Sequence, residues 1–157
     1  MTLRIAVAAD HAGFPLKQRV IDEVKRCGAT PLDLGTNSAE PVDYPDFAEA
    51  VGRAIQQGNA DRGIVICGSG VGAAIAASKM IGIRSSVCHD TYSAHQGVEH
   101  DNMNVLSIGA RIIGPELVAE VVRAFVAAEF SGDERHVRRL EKVMAMEAGG
   151  IGAKEKV

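Results

Sequence analysis

Tryptophan is absent, and the aromatic complement is two tyrosines and four phenylalanines. A surface that reads sugars or single-stranded nucleic acid by stacking on rows of rings is therefore not encoded. Cysteine is scarce as well: Cys27, Cys67 and Cys88 stand alone, with no C-x-x-C spacing. That pattern argues against a zinc site and a disulfide framework and fits reduced thiols in a cytosol. No apolar run approaches the ~20 residues that a bilayer span needs. The opening MTLRIAVAAD reads as a strand running into Asp10-His11 rather than as a signal peptide. Positive charge is not in excess: 17 Lys and Arg face 20 Asp and Glu, a net charge of −3. A nucleic-acid partner is accordingly not expected, since phosphate backbones are held by basic surfaces. His89, His95 and His100 crowd one segment but have no zinc-type spacing with a carboxylate, so a metal site is not expected.

What the chain does have is alternation. At 157 residues it is long enough for one domain with a real core. Leu3 to Ala8 is nearly all apolar, as a strand buried on both faces would be. Pro15 opens a helix with Leu16, Val20, Ile21 and Val24 on one stripe, ending near Gly28. Thr30 to Leu34 is a second strand, Gly35 to Tyr44 a polar loop, and Pro45 to Gly58 a second helix. Gly63 to Ile66 is the third strand, followed by an alanine-rich helix over 73–79. Ile83 to Val87 is the fourth. Asp90 or Thr91 caps a short helix to about His100. Asn104 to Ile108 is the fifth strand, Pro115 starts a long helix, and Asp133 caps a last one through about Met146. The prediction is a three-layer αβα Rossmann-like (flavodoxin-like) domain over residues 1–148 with a five-stranded parallel sheet. Residues 149–157 read as a frayed tail.

The stretch with the most chemistry is Arg62 to Gly72, RGIVICGSGVG. A buried strand ends in Cys67, three glycines follow within five residues, and a helix begins. Such a loop lets backbone approach a ligand, and the N–H groups of a helix start favour negative charge. Gly68, Gly70, Val71 and Gly72 thus form an anion cradle, with Ser69 offering a hydroxyl and Cys67 a nucleophile or base. In a parallel sheet the ligand lies beyond the carboxyl ends of the strands, where strand order reverses. For the order 2-1-3-4-5 that point brings Asp10 and His11 beside Cys67 and Ser69.

Several competing readings can be weighed on residues alone. Gly68 to Ala73 matches G-x-G-x-x-G/A, but it follows the third strand rather than the first, which argues against a dinucleotide site. A cysteine phosphatase would need arginine where Ala73 stands. A lone cysteine is usually a buried small hydrophobe; the place of Cys67 at a strand end before a glycine loop argues otherwise, whereas Cys27 and Cys88 have no such setting. His11 could hold an anion or merely cap the next helix. One of His89, His95 and His100 could donate protons, and spacing does not choose among them. Arg135 and Arg139, four apart on a helix, could clamp a phosphate; a solvated face pairing with Glu134 and Glu141 is slightly favoured over that. Val137, Leu140, Val143 and Met144 suggest that this terminal helix packs against something.

Taken together, DHAG at 10–13, DYP at 43–45, CGSGVG at 67–72, GIR at 82–84, H-D-x-x-NVL at 100–106, GAR at 109–111 and the arginines at 135 and 139 resemble type B ribose-5-phosphate isomerase, a family that includes the subunits of galactose-6-phosphate isomerase. The match runs from about Leu3 to Met146. The resemblance implies a metal-independent, cofactor-free, cytoplasmic aldose–ketose isomerase that interconverts ribose 5-phosphate and ribulose 5-phosphate through an enediolate. It implies Cys67 as the base, Ser69 as a proton carrier between oxygens, and His100 as the acid that opens the sugar ring. Asp10, His11, the loop Gly68, Gly70, Val71 and Gly72, Asp101, Arg111, Arg135 and Arg139 would hold substrate. It also implies a homodimer or homotetramer with sites shared between subunits, the terminal helix reaching its neighbour. Asp101 stands where better-known members carry asparagine, so another phosphorylated aldose (allose, galactose or erythrose phosphate) is an alternative, as is a non-catalytic phosphosugar- or nucleotide-binding module.

Overall fold

The computed structural model describes residues 1–149. The strands are β1 (Arg4–Ala9), β2 (Thr30–Asp33), β3 (Arg62–Cys67), β4 (Ser85–Val87) and β5 (Val105–Gly109). The helices are α1 (Phe14–Arg26), α2 (Tyr44–Gln56), α3 (Val71–Ser78), α4 (Thr91–Asp101), α5 (Pro115–Ala127) and α6 (Glu134–Glu147). All pairings are parallel, with Ala9 level with Ile66 and Cys67 level with Gly109. The αβα Rossmann-like architecture is the one expected. Of the suggested tail, residues 150–157 lie outside the described residues.

The strand order differs from the one assumed. It is β2-β1-β3-β5-β4, so β5 rather than β4 lies beside β3. The reason is burial. β5 is buried along its whole length, whereas β4 is three residues long and begins Ser85-Ser86, which suits an edge. The reversal between β1 and β3 is unaffected, so the loops after those strands still meet.

Side chains alternate across the pleat. Ile5, Val7, Ile64, Ile66, Leu106 and Ile108 face α1, α4 and α5, with Phe125 fully buried among them. Ala6, Ala8, Val65, Cys67 and Val105 face α2 and α3, whose contact residues are mostly alanine. Small residues on both partners let α3 sit close on the sheet. Cys67 is thus a core residue by its side of the strand and a site residue by its position at the strand end. Arg62 closes the opposite end of the core: its guanidinium donates to the carbonyls of Phe125 and Ala128, both at 2.7 Å, satisfying the last turn of α5.

Candidate active site

A methyl group on Gly13 would overlap the Ile66 carbonyl, so only glycine lets the loop after β1 lie against the end of β3. Asp10 is fixed there. Its N–H donates to the Ile66 carbonyl at 3.1 Å, and its Oδ1 accepts from Gly13 N–H at 2.9 Å. Gly70 caps α3 with φ of 81°, a left-handed conformation that glycine adopts without strain. That turn folds the glycine loop back over the end of β3. Gly70 N–H then donates to Cys67 Sγ at 3.1 Å, a donor well placed to hold a sulfur anion. Val71 N–H donates to Ser69 Oγ at 3.2 Å. The loop therefore uses two of its N–H groups on its own side chains. Those of Gly72 and Ala73 precede the first intrahelical bond, from Ala74 to the Gly70 carbonyl, and are the donors left over for an anion.

One cavity of about 310 Å³ is lined by Asp10, Tyr44, Cys67, Gly68, Ser69, Gly72, Arg111 and Ile112. Asp10, Cys67, Ser69, Gly68, Gly72 and Arg111 were all expected in a site, and the fold brings them together. Arg111 reaches it because the strand after α4 ends level with Cys67: Ala110 N–H donates to the Cys67 carbonyl and Arg111 N–H to the Gly68 carbonyl. Its guanidinium lies over Gly68. Tyr44 was not expected. Its ring stands 2.7 Å from where a Gly72 Cβ would be, forming a wall of the cavity while remaining 41% exposed. The D-Y-P run was visible in sequence, but only the crossing of α2 and α3 turns it into a site wall.

His11 is adjacent but engaged elsewhere. Its Nδ1 lies 3.1 Å from Val42 N–H and 3.2 Å from the Val42 carbonyl, accepting from the first in one tautomer and donating to the second in the other. It anchors the loop leading to Tyr44. His89 bonds the backbone of the same region: its Nε2 accepts from Gly109 N–H at 2.9 Å. Burial, only partly countered by Asp90, holds this imidazole below its ordinary value, which suits an acceptor. Asp90 itself caps α4, accepting from Ser93 N–H at 2.7 Å. Cys88 is buried and its thiol is pushed up to about 11 by that burial, out of range of useful ionisation.

The other expected residues form a second group. His100 lies in the last turn of α4, with Nδ1 2.9 Å from Gln96 Nε2. Asp101 follows it and lines a separate cavity of about 590 Å³, between β4, α4 and α6, together with Arg84, Gln96 and Glu147. Arg135 and Arg139 are exposed on α6; Arg135 lies 3.7 Å from Asp133. None of these four lines the Cys67 cavity within the same chain. Asp133 precedes α6, but its side chain makes no cap bond. Among the described residues no group of three or more His, Cys, Asp and Glu is arranged to hold a metal, and no helix is long and apolar enough to cross a membrane.

Residues 5–143 match the family model described as Ribose/Galactose Isomerase. Ribose-5-phosphate isomerase B of Escherichia coli K12 is 42% identical over 144 residues, covering 92% of this chain and 96% of that one. D-erythrulose-4-phosphate isomerase of Pectobacterium atrosepticum is 43% identical over 131 residues, covering 83% and 86%. Among solved structures, Trypanosoma brucei type B ribose 5-phosphate isomerase superposes with a TM-score of 0.90 at 42% identity, covering 93% of this chain and 99% of that one. The chain belongs to the ribose/galactose isomerase family and is a sugar-phosphate isomerase.

Proposed function

We propose that the chain interconverts ribose 5-phosphate and ribulose 5-phosphate without a metal, through an enediolate. The observation that carries this reading is the convergence of Asp10, Cys67, Ser69 and Arg111 on one cavity beside the start of α3. His100, as the imidazolium, gives its Nε2 proton to the ring oxygen. The bond from C1 to that oxygen breaks, the O1 proton leaves to solvent, from which His100 is reprotonated, and the sugar opens to its aldehyde. The Cys67 thiolate removes the C2 proton, and the electron pair moves through C1 to the carbonyl oxygen. Gly72 and Ala73 N–H groups and Arg111 stabilise the oxyanion as it forms, where each such donor is typically worth about 3 kcal/mol. Ser69 carries a proton from O2 to O1. Cys67 returns its proton to C1, and the ketose results.

The remaining groups bind substrate. Asp10 accepts from sugar hydroxyls, and His11 presents its Nε2. Arg135 and Arg139 take the phosphate, bringing His100 and Asp101 with them, from a second subunit of a homodimer or homotetramer. Two features support the shared site: these four residues are absent from the cavity of their own chain, and α6 leaves Val143 and Met146 49% and 72% exposed. The working unit is one domain, residues 1–148, acting in the cytoplasm.

The test is to follow ketose formation from ribose 5-phosphate in EDTA. Rapid turnover supports the reading; no turnover by an intact, folded protein sinks it. Mixing a Cys67→Ala variant with a His100→Ala variant should restore activity if sites are shared. A second reading has its own support, the 43% identity to an erythrulose-4-phosphate isomerase together with the carboxylate of Asp101. If kcat/KM for a tetrose 4-phosphate exceeds that for ribose 5-phosphate, this reading replaces the first.

A further inference from the structure

Away from the Cys67 cavity, two imidazoles stand face to face. His100, near the end of α4, and His136, in the first turn of α6, have ring centroids 4.0 Å apart and planes inclined by 25°. His136 is only 2% exposed and is the one buried residue in the described part of α6. Its Nδ1 lies 2.6 Å from Ser131 Oγ, and Ser131 N–H donates to the Glu99 carbonyl at 3.0 Å. The ring is therefore fastened to the backbone of the helix that carries His100. Burying an imidazole where an aliphatic side chain would fit costs desolvation, so a flat polar ring here calls for a reason beyond packing.

The surroundings of His100 supply one. The Gln96 amide lies 2.9 Å from His100 Nδ1. Its nitrogen donates to Nδ1 of the neutral ring; in the imidazolium that acts as acid its oxygen, turned to the ring, accepts Nδ1–H, leaving Nε2–H as the proton to be given. His100 Nε2 lies 3.8 Å from Glu99 Oε2, the oxygen that also lies 3.2 Å from His95 Nε2. Gln96 holds Nδ1, and His136 covers one face of the ring. Rotation of the imidazole out of its plane is opposed by that contact.

We propose that His136 is a positioning residue for His100, its stacked ring holding the His100 imidazole so that Nε2–H is aimed as the proton donor that opens a cyclic sugar phosphate. The proposal rests on the ring-opening role assigned to His100 above. It extends to the element as a whole: Arg135 and Arg139 flank His136 on α6, so the stack ties the acid to the helix that holds phosphate.

Two reactions separate this role from a merely structural one. Ribose 5-phosphate is a closed furanose and must be opened. Ribulose 5-phosphate is open, because its 5-hydroxyl is esterified, so exchange of its C1 hydrogen with solvent needs the base but not the ring-opening acid. His136→Ala should lower kcat on ribose 5-phosphate about tenfold to a hundredfold, the usual cost of displacing a catalytic group by about an ångström. KM and the exchange rate should stay within about threefold of wild type. His136→Phe keeps a flat face and should retain most of the forward rate; His136→Leu, apolar but not flat, should reproduce the loss. That pair decides the matter if the alanine variant fails to fold. Equal losses in both reactions, a raised KM for both sugars with kcat intact, or no effect would each overturn the proposal. His100→Ala is the control: if it shows no split between the two reactions, the ring-opening role of His100 fails, whereas a split in His100→Ala without one in His136→Ala sinks the positioning role alone.

Discussion

Replacing Cys67 by serine tests the proposed base with little disturbance of the fold. Cys67 is 4% exposed and its sulfur accepts from Gly70 N–H. A serine hydroxyl can accept the same bond, so the turn that starts α3 keeps its partner. Alanine cannot, and a buried N–H left without an acceptor costs about 1–3 kcal/mol. For a chain of this size that separates the two variants by roughly 2–10 °C in Tm. Chemistry should respond the other way. Serine does not ionise near neutral pH, so both variants lose the base, and a positioned base contributes about 10²–10⁴ in rate. A loss of about 10³-fold corresponds to about 4 kcal/mol of transition-state stabilisation. The assay is turnover of ribose 5-phosphate together with exchange of the C2 hydrogen with deuterated solvent, followed by NMR. Both should fall together, with Cys67→Ser folded and close to wild type in Tm. Near-full turnover or exchange in the serine variant would refute the assignment of Cys67 as base.

Three further outcomes are expected. Arg139→Ala should raise KM about tenfold, the worth of one charged hydrogen bond, with kcat little changed; an unchanged KM would remove Arg139 from phosphate binding. Gly72→Ala places a Cβ 2.7 Å from the Tyr44 ring, and because that ring is part-exposed it can swing aside, so Tm should hold while KM rises several-fold; calorimetry and steady-state kinetics check the pair. Stability should fall in acid partly through Asp33: burial opposes its ionisation, but the Lys17 ammonium at 2.8 Å and the Gly35 N–H outweigh that and hold its carboxyl below the usual range. A depressed carboxylate contributes above its unfolded value, about 3.9, and that contribution is lost as pH drops through the lower folded value. Asp33→Asn should therefore flatten the acid limb of stability against pH, and an unchanged limb in urea titrations would count against the pair.

Much of this was legible in the chain. β1 and β3 announce themselves because a strand buried on both faces must be apolar at every position, and Pro15, Pro45 and Pro115 mark helix starts because each lacks the N–H that a first turn leaves unpaired. The end of β3 was legible as a candidate site from composition: a thiol, a hydroxyl and three glycines between a strand and a helix fit a loop that faces a ligand. Strand order was less accessible. The pattern within a strand reports how deeply it is buried, not which strand lies beside it, and only the polar Ser85-Ser86 hinted that β4 belongs at the edge. Tyr44 escaped because nothing in D-Y-P says that α2 will cross α3 at Gly72.

The sequence by itself determined the layer architecture, the cradle after β3 and the identity of its thiol, since these follow from periodicity and from the local demands of a strand–loop–helix turn. Tertiary structure decided which residues become neighbours: Arg111 over Gly68, Tyr44 as a wall, and His136 on His100. Those contacts join positions dozens of residues apart, and they exist only because helices and strands of fixed length dock on a common sheet.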